Sequence, residues 1–257
     1  MPGRLEGKAG VVTGAAAGLG AAVVRAACAE GAGIVALDRD AEQGRATVEA
    51  VVAEGGRAVF AEGDVTVEAD VASAIARCRD EFGSFDLIDN NAGIALEKRL
   101  HDTSAEEWDA IMQVNLKGAF HGCKQAVLAM RETGGGSIVN TGSIVSLVGD
   151  PNLPAYATTK TGLVGLTRVI AIDYARDGIR CNIVCPGDML TPMVQRTFDL
   201  ADDPAAARRT MEHAYPVERI ADPAEVANGV VFLFSDESSF MTGSQLVMDG
   251  GLTVKCY

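Results

Sequence analysis

Tyr156 and Lys160 stand four residues apart in the stretch "YATTK", which puts a phenol and an ammonium on one face of a helix. A phenol beside a cation is a candidate acid–base group. An unperturbed tyrosine has a pKa of about 10, so a base working near neutrality needs a drop of about 2–3 units, roughly 3–4 kcal/mol. An ammonium at ~4–5 Å in a medium of effective dielectric ~20 supplies about that much. Such pairs are also common on solvent-facing helices, so their surroundings decide. Ser143, in "NTGS", can hydrogen-bond a substrate oxygen as charge develops on it, or cap a turn. Asn115 shares a helical stripe with Trp108, Ile111, Met112 and Ala119, and a buried amide there needs partners. It either satisfies neighbouring backbone or bends the helix so that a carbonyl holds a water behind the lysine.

A second group of residues has the chemistry of anion binding. In "VVTGAAAGLGAA", residues 11–22, Gly14, Gly18 and Gly20 follow a short apolar run and precede an alanine- and valine-rich one. Glycines at a strand-to-helix turn let the backbone approach a pyrophosphate, and the helix N-terminus offers free N–H groups and a favourable dipole. A purely structural turn would look similar. Asp38 closes the apolar run "GIVALD" eighteen residues after Gly20, near the spacing at which an acid meets the adenosine ribose. Its carboxylate would accept from the ribose hydroxyls and repel a 2′-phosphate. Arg39 could contact such a phosphate, but Ala15 and Ala16 supply no second cation, so the pattern favours NAD(H) over NADP(H). Asp64 in "EGDV", with the Val65 backbone, either addresses the adenine or caps a turn.

These residues need elements to hold them. Short β-like runs alternate with helix-like ones: "AGVVT", a helix over about Leu19–Glu30, "GIVALD", a helix across the forties, "RAVFAEG", a helix through the seventies, then "FDLID". The rhythm continues with a long helix over about Ser104–Arg131, "GSIVNTGS", a helix over about Leu153–Ala175, "IRCNIVCP", a polar helical stretch near 192–214, a helix over Pro223–Phe234 and "SQLVMDGG". Strands alternating with helices predict an α/β single domain over residues 1–257, with seven strands in a doubly wound, mostly parallel sheet and helices on both faces.

Composition removes other classes. Hydrophobic residues make up 48% and charged residues 22% of 257, ordinary globular usage. A net charge of −13 argues against nucleic acid. No apolar run approaches the ~18 residues of a membrane span, and "MPGRLEGKAG" lacks the apolar stretch of a signal peptide; a cytoplasmic protein is expected. The six cysteines form no C-x-x-C pair, and His101, His121 and His213 make no ligand motif; reduced thiols and no metal are expected.

In this order and spacing, "TGAAAGLG" (Thr13–Gly20), Asp64, "NNAG" (Asn90–Gly93), Asn115, Ser143, "YATTK", "PGDMLTP" (Pro186–Pro192) and "DGG" (Asp249–Gly251) resemble the short-chain dehydrogenase/reductase family over about residues 5–251. The resemblance implies a Rossmann fold in which the wider glycine spacing is the family's pyrophosphate turn, formed by Gly14, Ala17, Gly18, Leu19 and Gly20. It implies a tetrad of Asn115, Ser143, Tyr156 and Lys160. Tyr156 would be base in alcohol oxidation and acid in ketone reduction, Lys160 would lower its pKa and hold the nicotinamide ribose, and the Asn115 backbone would position a relay water. Asn91, Ala92 and Gly93 would line the adenine-ribose side; Pro186, Gly187, Met189 and Thr191 would position the nicotinamide. Similar enzymes are commonly homotetramers with the C-terminal strand at an interface.

One residue departs from the pattern. Before "NNAG" the family usually has an aliphatic residue, and here stands Asp89. A buried carboxylate is costly unless partnered, so Asp89 is expected to find donors near the strand end. The expected function is NAD(H)-dependent oxidation of a secondary alcohol, or reduction of its ketone. The alternatives are a 3-oxoacyl-[acyl-carrier-protein] reductase and, more remotely, a non-catalytic dinucleotide-binding regulator, which would have no use for the tetrad. Substrate choice is expected in the loop after Ser143 and in a flap at about 188–215 that can close over substrate, with Val145, Asp150, Asp188, Met193 and Arg196 as candidate pocket residues. An aspartate near the carbonyl would favour a hydroxylated or cationic substrate.

Overall fold

The computed structural model describes residues 3–256; Met1 and Pro2 of the amino-terminal stretch, and Tyr257 at the chain's end, lie outside the described residues. Strands β1 (Ala9–Thr13), β2 (Gly33–Asp38), β3 (Arg57–Glu62), β4 (Leu87–Asn90), β5 (Gly136–Thr141), β6 (Ile179–Pro186) and β7 (Gln245–Met248) form one sheet in the order β3-β2-β1-β4-β5-β6-β7. Every pairing is parallel. Parallel strands need helical crossovers on both faces, and so read as unbroken apolar runs; the five residues of β1 are all buried. The order reverses between β1 and β4, so their C-terminal ends open the crevice where a ligand fits.

The crossovers are α1 (Gly18–Ala29), α2 (Ala41–Ala53), α3 (Glu68–Phe82), α4 (Ala105–Ile111), α5 (Gly118–Thr133) and α6 (Pro154–Asp173), followed by α7 (Pro192–Asp199), α8 (Pro204–Ala214) and α9 (Pro223–Phe234). One core layer joins Val12, Leu87, Val139 and Val184 to α1 and α9. The other joins Val11, Ile88, Ile138 and Cys181 to α3, α5 and the end of α6. Capping agrees with these boundaries: Asp40 accepts from Gln43 N, and Ser104 and Asp222 each form a capping box with the glutamate three residues on. Among the described residues no helix is long and apolar enough to cross a membrane.

Two expected elements are divided. The long helix over 104–131 is broken by a π-wound segment, Met112–Lys117, where Asn115 is drawn inward by two hydrogen bonds to the Ile94 main chain. The wider turn accommodates that pull. The polar stretch near 192–214 is two helices, because Pro204 lacks the N–H to continue a helix and instead starts one, with Asp203 capping it.

Candidate active site

Between β1 and α1 the three glycines have separate duties. Gly14 and Gly18 sit at φ +65° and +56°, backbone that side-chain-bearing residues rarely adopt. A Cβ on Gly14 would also come within 2.8 Å of the Ala92 Cα, and one on Gly20 would overlap the Gly14 carbonyl oxygen. Ala17, at the N-cap of α1, has no side chain to cap it, and the first turn carries no acid. The helix start therefore keeps its N–H groups and dipole for an anion. The Leu19 side chain is core, 5% exposed, so Leu19 can face a ligand only through its backbone. Asn91 does not reach outward: its amide donates to the carbonyls of Thr13 and Gly14, while the Asn91 and Ala92 N–H groups donate to the Thr13 hydroxyl. That staple holds the glycine turn to β4.

Beside the turn lies a cleft of about 180 Å³ lined by Gly14, Asp38, Arg39, Asp64, Val65, Ala92, Gly93, Ile94 and Val114. Asp38 Oδ2 accepts from Ala16 N and Oδ1 from Asp40 N, both at 2.9 Å, which fixes the carboxylate at the cleft; Arg39 is exposed next to it. Asp64 Oδ1 accepts from Thr66 N at 2.8 Å, a bond that holds its carboxyl below the ordinary range, so it shapes the turn that presents Val65. Val65 is itself buried, and its carbonyl meets His121 Nδ1 at 2.9 Å. The open turn, the uncapped helix start and a cleft carrying an acid at its mouth fit the pyrophosphate and adenosine halves of a dinucleotide.

The acid–base group stands over the ends of β5 and β6. Lys160 is 3% exposed, and its Nζ donates to the Thr141 carbonyl at 2.6 Å and lies 5.5 Å from the centre of the Tyr156 ring. Burial pushes the ammonium's pKa down to about 8, against the pull of Asp89. Tyr156 is pushed up to about 12, first by burial; a hydrogen bond with Ser143 draws it down, and the Asp188 charge raises it further. The expectation that the ammonium by itself lowers the phenol is thus corrected. Desolvation of the phenol is the largest effect and sets the direction. Ser143 also accepts from Val145 N at 3.3 Å and starts a short 3₁₀ turn over Ile144–Ser146, so it caps a turn. The Asn115 side chain is fully used, accepting from Ile94 N and donating to Ile94 O and to Thr159 Oγ1.

A family model described as Enoyl-(acyl carrier protein) reductase matches residues 14–253. The chain is 40% identical over 257 residues to 2-(S)-hydroxypropyl-CoM dehydrogenase 3 of Xanthobacter autotrophicus, covering 98% of this chain and 99% of that protein. It is 41% identical to cis-4-hydroxycyclohexanecarboxylate dehydrogenase of Sinomonas cyclohexanicum, covering 95% of each. The crystal structure of levodione reductase superposes with a TM-score of 0.94 at 33% identity, over 98% of this chain and 100% of that one. The chain belongs to the short-chain dehydrogenase/reductase family. It is an oxidoreductase of that family, and a nicotinamide cofactor goes with that membership.

Within this short-chain dehydrogenase/reductase, the segment after β6 closes one side of the site. Thr191 caps α7, and a Cβ on Gly18 would stand 3.3 Å from its Cγ2, so Thr191 reaches the glycine turn. Pro186 ends β6 buried, Gly187 N donates to Met248 O, and Met189 pairs with Ala221 in a single parallel bridge. Asp188 Oδ2 accepts from the Tyr215 hydroxyl at 2.8 Å, and the same hydroxyl accepts from Asp188 N at 2.7 Å. Burial and the Asp150 charge raise the Asp188 carboxyl. Of the other candidate pocket residues, Val145 is buried, whereas Asp150, Met193 and Arg196 are exposed. The sequence reading missed Thr13, Thr141 and Tyr215. Their signals are faint: a threonine closing a strand, or a tyrosine in a polar helical stretch, marks nothing until its partner is known.

Asp89 is half-partnered. Oδ1 accepts from Thr141 Oγ1 at 3.0 Å, the donor near a strand end that was expected, but among the described residues Oδ2 has no hydrogen-bond partner, so the expectation is met at one oxygen only. No second hydroxyl comes near enough on a strand flanked by Val12 and Val139.

Proposed function

We propose that this chain is an NAD(H)-dependent oxidoreductase of secondary alcohols and their ketones, with Asn115, Ser143, Tyr156 and Lys160 as its working residues. The observation that carries the reading is the buried Lys160 ammonium, anchored on the Thr141 carbonyl with Nζ 5.5 Å from the centre of the Tyr156 ring, at the strand ends where Ser143 also stands. The bound nicotinamide supplies or takes up the hydride. Tyr156 holds the alcohol proton, taking it in oxidation and returning it in reduction. Ser143 orients the substrate oxygen and stabilises charge on it. Lys160 gives the phenol a cationic neighbour, and Asn115 holds the loop at Ile94 against α6. Asp38 supports NAD(H), because its carboxylate at the cleft repels a 2′-phosphate and suits ribose hydroxyls. NAD dependence in turn favours the oxidative direction.

Asp188, with Asp150 behind it, makes the substrate side of Tyr156 electronegative, which supports a hydroxylated or cationic substrate over a carboxylate. The matched family description and the shared motifs favour a second reading, reduction of the 3-oxo group of an acyl chain carried on acyl carrier protein. The net charge of −13 opposes it, since an acidic carrier would be repelled. The deciding experiment is steady-state turnover with NAD⁺ and NADP⁺ in parallel on polyols, aryl carbinols, hydroxysteroids, hydroxycyclohexanecarboxylates and 3-hydroxyacyl thioesters. Turnover confined to NAD⁺ and a neutral or cationic alcohol is expected. Equal or better turnover with NADP⁺ on the thioesters would replace this reading with the second.

A further inference from the structure

The middle of β4 carries a group that neither the dinucleotide cleft nor the acid–base pair accounts for. Asp89 is 0% exposed, in register with Val12 of β1 and Val139 of β5. Among the described residues its one side-chain partner is Thr141, which grips at both ends: the hydroxyl donates to Asp89 Oδ1 at 3.0 Å, and the main-chain carbonyl accepts from Lys160 Nζ at 2.6 Å. Carboxylate, threonine and ammonium form one buried line that ends against the Tyr156 ring. A lone buried carboxylate with an unpartnered oxygen destabilises a fold unless something compensates it, and the nearby charge that does so is Lys160.

We propose that Asp89 is a positioning residue for the reaction: it holds Thr141, whose carbonyl anchors the Lys160 ammonium, and it is the buried counter-charge that keeps that ammonium protonated beside Tyr156. The proposal rests on the roles given above to Tyr156 and Lys160. Burial lifts the Asp89 carboxyl to about 7, while the Thr141 bond and the Lys160 charge pull it back. Burial lowers Lys160 to about 8, while Asp89 and, after it, Cys185 of β6 pull it up. From α6 the titratable groups facing this line are Lys160 and Tyr156, and from β6 the Cys185 thiol; β1 and β5 contribute the hydroxyls of Thr13 and Thr141, the former bonded to the Asp89 carbonyl. Each charge thus favours the ionised form of the other. Removing the Asp89 charge lowers the proton affinity of Lys160, so less ammonium stands beside the phenol in mild alkali.

The test is a ¹³C NMR titration of lysine-labelled, cofactor-free protein, with the Lys160 signal assigned by its loss in Lys160→Arg, set beside the pH profile of turnover. Asp89→Asn keeps an acceptor for the Thr141 hydroxyl and removes the charge; Asp89→Val removes both. In Asp89→Asn the Lys160 midpoint is expected to fall by about one unit, a tenfold loss of proton affinity, and the alkaline limb of kcat should move with it while KM changes less than about twofold. A midpoint within about 0.2 units of the parent in folded Asp89→Asn overturns the proposal and leaves Asp89 a packing residue. Should Asp89→Val fail to fold, Asp89→Asn decides alone. The titration needs no turnover, so an inactive protein would count against the function proposed above and still give this answer; an unmoved midpoint in an active enzyme would count against Asp89 only.

Discussion

Two effects oppose each other at Tyr156: burial disfavours its ionised form, and the Ser143 hydroxyl favours it. Because the phenolate is the scarce form, oxidation should quicken as pH rises, while ketone reduction, which needs the phenol, should not. Rate profiles in the two directions that rose together would contradict this assignment. Tyr156→Phe keeps the ring and removes the proton; kcat should fall by about 10²–10⁴-fold with little change in melting temperature. Asp38→Ala should raise kcat/KM for NADP⁺ relative to NAD⁺ by at least about tenfold, as losing a repelled charge contact of ~1.4 kcal/mol implies. Asp89 should leave a mark on stability. Its carboxyl moves from an ordinary 3.8 to about 7 on folding, so between those values the native state binds more protons than the unfolded one. Stability from this group therefore falls as pH rises through that window, by up to the order of 4 kcal/mol. Lys160, lowered to about 8, acts with the opposite sign, but only from about pH 8 upward. The melting-temperature difference between Asp89→Asn and the parent should widen between pH 5 and 7.5, and calorimetry showing parallel curves would refute the assigned cause.

At the scale of elements, the glycine turn works through what is missing from it. Gly20 leaves room for the Gly14 carbonyl, and Gly14 for the Ala92 backbone, so β1, α1 and the start of the loop after β4 close to backbone contact. Gly20→Ala has no free space to enter and should weaken dinucleotide binding at least about tenfold, measured by quenching of protein fluorescence, and lower the melting point as well. The other working element is the pair α7–α8. A proline and a capping aspartate split it, and the double hydrogen bond of Tyr215 to Asp188 ties its far end to the strand edge. We expect this pair to be the substrate flap. Tyr215→Phe should raise KM for the best alcohol about three- to tenfold while leaving kcat within about twofold, the signature of a contact made equally in ground and transition states. The π-wound segment belongs at this scale too, since a regular helix over the same residues would rotate Asn115 away from Ile94.

For the molecule as a whole, the sheet ends in a short edge strand, β7, whose surroundings carry exposed apolar side chains: Val247, Val254 and the fully exposed Phe240. Edges of this kind are usually covered. Together with the resemblance noted in the motifs, this supports a homotetramer closed over β7, and sedimentation should give about four times the 26.7 kDa of one chain. Phe240→Asp should then yield smaller species, and a parent that sediments as a monomer would end the proposal.

Read alone, the chain determined what depends on local pattern. Parallel strands buried on both faces must be continuous apolar runs, so seven strands and their order of appearance were legible in "AGVVT", "GIVALD" and their successors. The glycine spacing, Asp38 and the Tyr156–Lys160 interval were legible because each is set within one turn or one helix face. Tertiary structure decided whatever depends on groups far apart in sequence or on desolvation. The π segment follows from a pull between Asn115 and Ile94, and the break at Pro204 depended on which reading of a polar stretch the packing allowed. The raised phenol, the lowered ammonium and the line from Asp89 through Thr141 to Lys160 join three elements across the sheet. No interval along the chain encodes those distances, because a pKa is set by the water a fold removes and the charges it brings near.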